Sequence, residues 1–439
     1  EWLLSSREQY DVIASEPSNP YRAGMASVFT REFYAAARAR SRPGGFFAQW
    51  VQGYEVGAST LRIVIKTLRT VFPHVEAWHT QTGDFLLLAA LEPMTVDVPR
   101  LRARLREPPV YAAATRTFLT EEAEGILGHF VADEALIAAI AEKAYTPVNT
   151  DDSSALEYEF ARRVGAGDDD LVARLLALAA ARGADRPAVR GDVDWARVVE
   201  LRPRAAMIAR DSLGPPPADP ELRRRILTTQ AACSGDLTLA AERWGDGPFP
   251  VRDGVERYVS ALLAAKRGDP RAAALAAALE GAGFRPEAAA VRAHLALAQR
   301  RPDAALDRAA EGLAELRVEG LPLCSTPALL LGAVEAAAPG DEARLRRAVE
   351  LVAAGPLAAW QNERSRLRLW RRLASVHPDP SLCAAAFAAR ADQPEWSDEY
   401  LRSRLACWRR AQDPRGDRAE AELLRFVSRG PGDLAAGLD

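Results

Sequence analysis

Lysine is nearly missing from this chain: three of its 57 basic residues are lysine and the other 54 are arginine. Beside so much alanine, this reads as compositional bias and not as an anion-binding surface. The net charge of −3 and the isoelectric point near 6.1 argue against a nucleic-acid partner, which usually meets a basic domain. Cysteine is scarce. Cys233, Cys324, Cys383 and Cys407 form no C-x-x-C pair, which argues against a zinc knuckle. They stand in apolar helical stretches and are expected as small buried thiols in a reducing compartment. The five histidines have no metal-ligand spacing, so no metal site is expected. There is no run of 18 or more apolar residues, hence no membrane-spanning helix, and no secretory leader pattern. The expected location is cytoplasmic; a membrane tether would have to come from upstream of Glu1.

What is there is an ordinary globular composition, 48% hydrophobic and 27% charged, over 439 residues, enough for two or more domains. Tyr10-Asp11-Val12-Ile13-Ala14 reads as a buried central strand ending in the proline-stiffened turn from Glu16 to Tyr21. Thr30 is a candidate N-cap for a helix through Ser41, which Pro43-Gly44-Gly45 ends. Phe46 to Val51 reads as the next strand. Gly57 to Phe72 reads as an amphipathic helix with Leu61, Ile65 and Leu68 on one face. Val75 to Thr80 and Phe85 to Ala90 read as a hairpin. The two βα units predict parallel strands, and the hairpin makes the last strand antiparallel. Residues 97–145 read as two or three small helices, and Pro147 to Glu159 as a loop followed by a short terminal strand. Because a parallel sheet rarely begins with an inner strand, upstream residues are expected to be missing.

From about residue 168 the pattern is helical, without strand-like runs. Gly235-Asp236, Gly268-Asp269 and Arg301-Pro302 recur 33 residues apart, and Asp379-Pro380 and Asp413-Pro414 recur 34 apart. Each turn precedes an alanine-rich helix, which is the tetratricopeptide spacing. The expected organisation is an α/β domain over 1–163, a helical linker region over 164–220 and tetratricopeptide-like repeats over 221–439. The segment Gly214 to Pro220 reads as a stiff linker.

The run from Tyr10 to Tyr54 carries a specific resemblance. It reads YDVIASEPSNPYRAGMASVFTREFYAAARARSRPGGFFAQWVQGY. The YDVI segment with its acid and Ser-Asn-Pro, then FTREF, then PGG before a strand bearing Gln, resembles the spermidine/spermine synthase (polyamine aminopropyltransferase) family, in its divergent bacterial branch. Asn149-Thr150-Asp151-Asp152 with Leu156-Glu157-Tyr158 is similar to that branch's closing segment. The likeness covers about the first 160 residues and none of the repeats. It implies the second half of a class I methyltransferase-like Rossmann domain, with decarboxylated S-adenosylmethionine as co-substrate, no prosthetic group and a polyamine acceptor. It implies Glu16 in the place of the family's catalytic Asp. The implied substrate-binding residues are Asn19, where the family has a second Asp, with Tyr21, Gln49, Asp151 and Asp152. A homodimer is common in the family.

The departures have chemical weight. Glutamate for aspartate adds a methylene and moves the carboxylate by roughly 1 Å, enough to matter at a reacting centre. Asparagine for aspartate removes a negative charge from a cation site. The family's C-terminal diamine-binding motif with His and Tyr is unmatched, and the chain has no G-x-G-x-x-G fingerprint. Two other readings stay open: an S-adenosylmethionine-dependent methyltransferase of the same fold, and a non-catalytic scaffold whose repeats bind a protein. As it stands, the chain is expected to be a divergent aminopropyltransferase-like fragment, inactive without the upstream half. It is expected not to hold the nucleotide itself. Calorimetric titration with methylthioadenosine checks this: tight binding would contradict it.

Overall fold

The computed structural model describes residues 2–17, 24–53, 56–80, 83–143, 145–163, 171–209, 218–318 and 320–428. The chain divides into two units, residues 1–226 and 227–439. Along the first run α1 (Trp2–Ser5), β1 (Tyr10–Ser15), a 3-10 turn (Met25–Phe29), α2 (Arg31–Arg40), β2 (Ser41–Val51), α3 (Ala58–Arg69), β3 (His74–His79) and β4 (Phe85–Ala90). Then follow β5 (Val96–Asp97), α4 (Val98–Arg104), α5 (Pro108–Phe118), α6 (Ala123–Leu127), β6 (Phe130–Ala132), α7 (Glu134–Ala141), α8 (Ala155–Arg163), α9 (Leu171–Arg182), β7 (Val189–Arg190) and α10 (Trp195–Ala209).

Local chemistry places the first helices. Thr30 Oγ1 accepts from Phe33 N, capping α2. The stripe Leu61, Ile65 and Leu68 turns α3 toward the sheet and is buried. The described strands lie in the order β1-β2-β4-β3-β6. β1 is parallel to β2, while β4 is antiparallel to both β2 and β3 and lies between them. Thus β1, β2 and β3 point one way, with the second strand of the hairpin inserted against them. One sheet face meets α3, α7 and α9 in a continuous core of Phe47, Val51, Val75, Leu87, Leu68, Ile137 and Leu175. A smaller cluster around Val98, Leu105, Leu127 and Val198 takes in the half-buried Trp78 of β3.

Several expectations need correction. β1, expected as a buried strand, is buried on one side only: Ile13 packs against the core while Val12 is 51% exposed. A half-covered strand alternates, and an apolar run alone does not reveal this. Residues 97–145 hold four helices and also β6, which extends the sheet beside β3; a three-residue strand is too short for periodicity to expose. The segment expected as a terminal strand is α8. Leu156 is fully buried and Tyr158 is 72% exposed, so residues two apart do not share a face. Helix α9 belongs to the α/β core through Leu171, Val172, Leu175 and Leu176, and β7, in a stretch read as helical almost throughout, pairs with β5.

The remaining helices are α11 (Pro220–Cys233), α12 (Leu237–Trp244), α13 (Gly254–Lys266), α14 (Arg271–Gly281), α15 (Arg285–Ala298), α16 (Pro302–Leu316), α17 (Thr326–Ala337), α18 (Glu342–Ala353), α19 (Trp360–Val376), α20 (Pro380–Ala388), α21 (Asp398–Arg410) and α22 (Gly416–Ser428). Successive helices pair, and the first helix of one pair packs on that of the next: α13 on α15, α15 on α17, α17 on α19. The recurring turns work by one device. Gly235 and Gly268 take positive φ, and the aspartate that follows caps the next helix or its first turn. Gly340-Asp341 makes the same turn off the 33–34 residue step. Among the described residues no helix is long and apolar enough to cross a membrane.

The cysteines are not the free thiols expected. Cys233 bridges Cys324, with Cα atoms 4.5 Å apart, and Cys383 bridges Cys407, 5.6 Å apart. The folding of helix on helix brings together residues 91 and 24 positions apart, a proximity that spacing alone does not disclose. Close approach in the array also requires Gly312. A Cβ there would sit 2.7 Å from Leu330 and 3.0 Å from Ala289. Gly312→Leu should therefore destabilise the protein by about 1–3 kcal/mol through overpacking, read as a lower urea midpoint; an unchanged midpoint would contradict the close packing of α15, α16 and α17.

Candidate functional site

The carboxyl ends of β1 and β2 lie side by side, since Ser15 pairs with Gln49 in parallel register. Glu16 follows directly and is exposed. Gln49 is fully buried; its Nε2 donates to Trp50 O at 2.9 Å and to Ser15 O at 3.4 Å. Its Oε1 has no hydrogen-bond partner among the described residues. A buried acceptor left open is costly unless something donates to it. The structure therefore sets Glu16, an exposed acid, one residue past the strand position that pairs with Gln49, whose buried amide oxygen has no partner among the described residues. Asn19 and Tyr21 lie outside the described residues.

A second acid at this edge was read only as part of a turn. Asp84 opens β4, is buried, and accepts from Gly53 N at 3.3 Å just beyond β2. The approach is tight: a Cβ on Gly53 would lie 1.8 Å from Gly83 O, so only glycine fits. A Gly-Asp pair before an apolar strand signals a hairpin; that its carboxylate points at the neighbouring strand's end is a tertiary fact.

Asp151 and Asp152 are exposed in the turn closed by Thr150 and Ser153, and Asp151 N donates to Glu32 Oε2 at 3.1 Å. Among the described residues no hydrogen bond or ion pair joins either to Glu16 or Gln49. The Glu32 carboxyl is pulled down against its own burial by hydrogen bonds from Arg31 and the backbone, Asp151 N included. Asn149 beside them is a structural pin. It is fully buried, its N donates to Thr67 Oγ1, its Nδ2 donates to Ala26 O, its Oδ1 accepts from Leu156 N, and its carbonyl accepts from Arg31 N.

Burial also displaces titrations on β3 and just before β6. Burial pushes the Glu76 carboxyl up to about 7, helped by the nearby negative charges of Glu134 and Asp133. His79 is held down near 3 by burial and by His129, whose ring stacks on it at 6.0 Å. His129 is held down near 4 by burial, partly offset by its bond to His79 O. Both imidazoles are neutral at physiological pH. Among the described residues no group of three or more His, Cys, Asp or Glu is placed to hold a metal. A charged residue inside the apolar run HVEAWH was the available signal for Glu76.

The chain matches no protein-family model and no curated protein.

The Glu76 position yields a stability test with a definite sign. Its folded-state pKa, near 7, lies above the ordinary value of 4.5. The folded state thus binds more protons between these values, and stability falls as pH rises from about 4.5 through about 7. Glu76→Gln should leave the unfolding free energy near the parent's at pH 4.5 and raise it at pH 8 by up to roughly 3 kcal/mol. Urea unfolding at the two pH values measures this, and equal stabilities at pH 8 would show that Glu76 ionises without penalty.

Proposed function

We propose that the first unit carries the amine-binding side of a spermidine synthase-like aminopropyltransferase site. The observation that carries this reading is an exposed acid, Glu16, directly after the residue that pairs with Gln49 at the carboxyl end of two parallel strands, with the buried Gln49 oxygen left without a partner among the described residues. In open α/β sheets that edge is where ligands bind. Parallel β1 and β2 linked through α2, and the antiparallel β4 closing the set, support a Rossmann-like, class I methyltransferase-like reading of this unit. The helix pairs with their Gly-Asp and Asp-Pro turns support a tetratricopeptide-like reading of the second.

The chemistry asks little of the protein beyond placement and charge. The reaction moves an aminopropyl group from decarboxylated S-adenosylmethionine to a polyamine. The acceptor nitrogen must be neutral to attack the propyl carbon next to the sulfonium. Its lone pair forms the new C–N bond, the C–S bond breaks, and its electrons leave with methylthioadenosine. Glu16 takes the proton that the nitrogen loses. Gln49 Oε1 accepts an N–H of the acceptor and orients it. Asp84 adds negative charge to the same edge and so favours a polycation over a neutral amine.

Amine binding tests this without reference to the donor. Calorimetric titration of the chain with spermidine should show binding that Glu16→Gln weakens by about tenfold, the loss of one charge-assisted hydrogen bond. Asp151→Asn and Asp152→Asn should leave it unchanged. Spermidine affinity indifferent to Glu16, or lost equally in the Asp151 and Asp152 variants, would remove the assignment.

A further inference from the structure

Helix α19 departs from the charge balance of the rest of the chain. Five arginines, at 364, 366, 368, 371 and 372, stand in its 17 residues against one acid, Glu363, in a protein whose net charge is −3. Three of the five are used internally. Arg366 is buried, paired with Glu363 at 2.7 Å and donating to Val352 O. Arg371 pairs with Glu395 at 2.7 Å, and Arg372 with Glu335 at 2.6 Å. Arg364 and Arg368 are exposed and make no hydrogen bond or ion pair among the described residues.

Arg364 borders a cleft of about 200 Å³ between α19, α20 and the start of α21, and Arg368, one turn further along the helix, is near enough for its charge to act on the cleft residue Glu395. The cleft walls include Trp360, Arg364, Arg371, Arg390, Glu395 and Tyr400. Two guanidiniums are held there by rings: Arg390 lies 4.6 Å from the Trp360 ring centre, and Arg371 lies 4.8 Å from that of Tyr400. Glu395 is the acid on this wall. Burial would raise its carboxyl, but the bond from Arg371 and the charges of Arg371, Arg368 and Arg364 hold it below the ordinary value. One carboxylate thus already sits among these guanidiniums, and Arg364 and Arg368 have room for more. Trp360 leaves 56% of its surface, and Trp396 nearby 54%, open to solvent.

We propose that this cleft binds an acidic peptide segment. Arg364 and Arg368 are one helical turn apart, about 6 Å along the axis. Alternate side chains on one face of an extended strand repeat at nearly the same distance, about 6.6 Å. The pattern fits Asp/Glu-x-Asp/Glu, each carboxylate taken by one planar guanidinium fork, with the chain that flanks the pair on the Arg364 side lying over Trp360. Nucleic acid fits less well. A phosphate polymer would leave this patch for a surface that is negative overall, whereas a short acidic segment ends within it. The proposal rests on the second unit alone and is independent of the amine site.

Fluorescence anisotropy of the full chain with a labelled peptide of alternating Glu and Ser should show saturable binding that weakens as salt is raised. Arg364→Gln with Arg368→Gln should weaken it by about tenfold or more, and Trp360→Ala by a smaller factor. Arg402→Gln, which breaks an exposed pair with Asp398 on α21, should leave it unchanged. The charge reversal Arg364→Glu with Arg368→Glu should lose the acidic peptide and gain one of alternating Lys and Ser. Undiminished binding by the Gln pair, no binding at low salt, or a single-stranded oligonucleotide or pyrophosphate displacing the peptide at lower concentration than unlabelled peptide would each overturn the proposal.

Discussion

The first unit depends on where β4 lies. By hydrogen-bonding to β2 on one side and β3 on the other, it brings a parallel pair and a hairpin into one sheet. Its start then falls beside the end of β2, where Asp84 meets Gly53 with no space for a side chain. Because β1 runs in register with β2, Ser15 and Glu16 reach the same edge. Slipping that register by one residue would turn Gln49 from the core face to the opposite face and separate it from Ser15. The candidate site is thus a consequence of sheet register, with side-chain chemistry laid over it.

Polar groups inside this unit divide into two kinds. Asn149 uses its amide oxygen, amide nitrogen and both backbone groups to tie the 3-10 turn, α2, α3 and α8 together. Such full satisfaction is the signature of a structural residue. Gln49, equally buried, is left with an open oxygen. The difference separates two amides that look alike in sequence. Glu76 and the His79–His129 pair make a third case. Their titrations are displaced by burial, and a displaced pKa by itself does not mark a site.

In the helical unit, arginine does the work that lysine would share in another protein. Arg404 is buried beside Tyr400 and Trp408 and pairs with Glu422, filling space as well as carrying charge. Most guanidiniums on this unit meet a carboxylate or a carbonyl. Arg364 and Arg368 stand out because they do not, and because they share one face of one helix. At α19, placement and not number sets these two arginines apart.

The order β-α-β-α-hairpin, the capping of α2 by Thr30 and the turn-marked helices of the second unit were legible in the sequence, because each depends on a few neighbouring residues: a cap, a glycine with positive φ, an apolar stripe of period 3.6. The positions of Glu16, just past a predicted strand, and of Gln49, within the next one, were also legible, though their roles were not. Four features were decided by tertiary structure. They are the one-sided burial of β1, the strand β6, the helical state of residues 155–163 and the pairing of the cysteines. Each turns on what lies across from a residue in space: whether a strand has a neighbour, whether Leu156 has a core to enter, whether two thiols 91 positions apart meet. Local propensity settles the elements, but the free energy of burying one surface against another chooses among their states, and that choice is made only when the chain has folded.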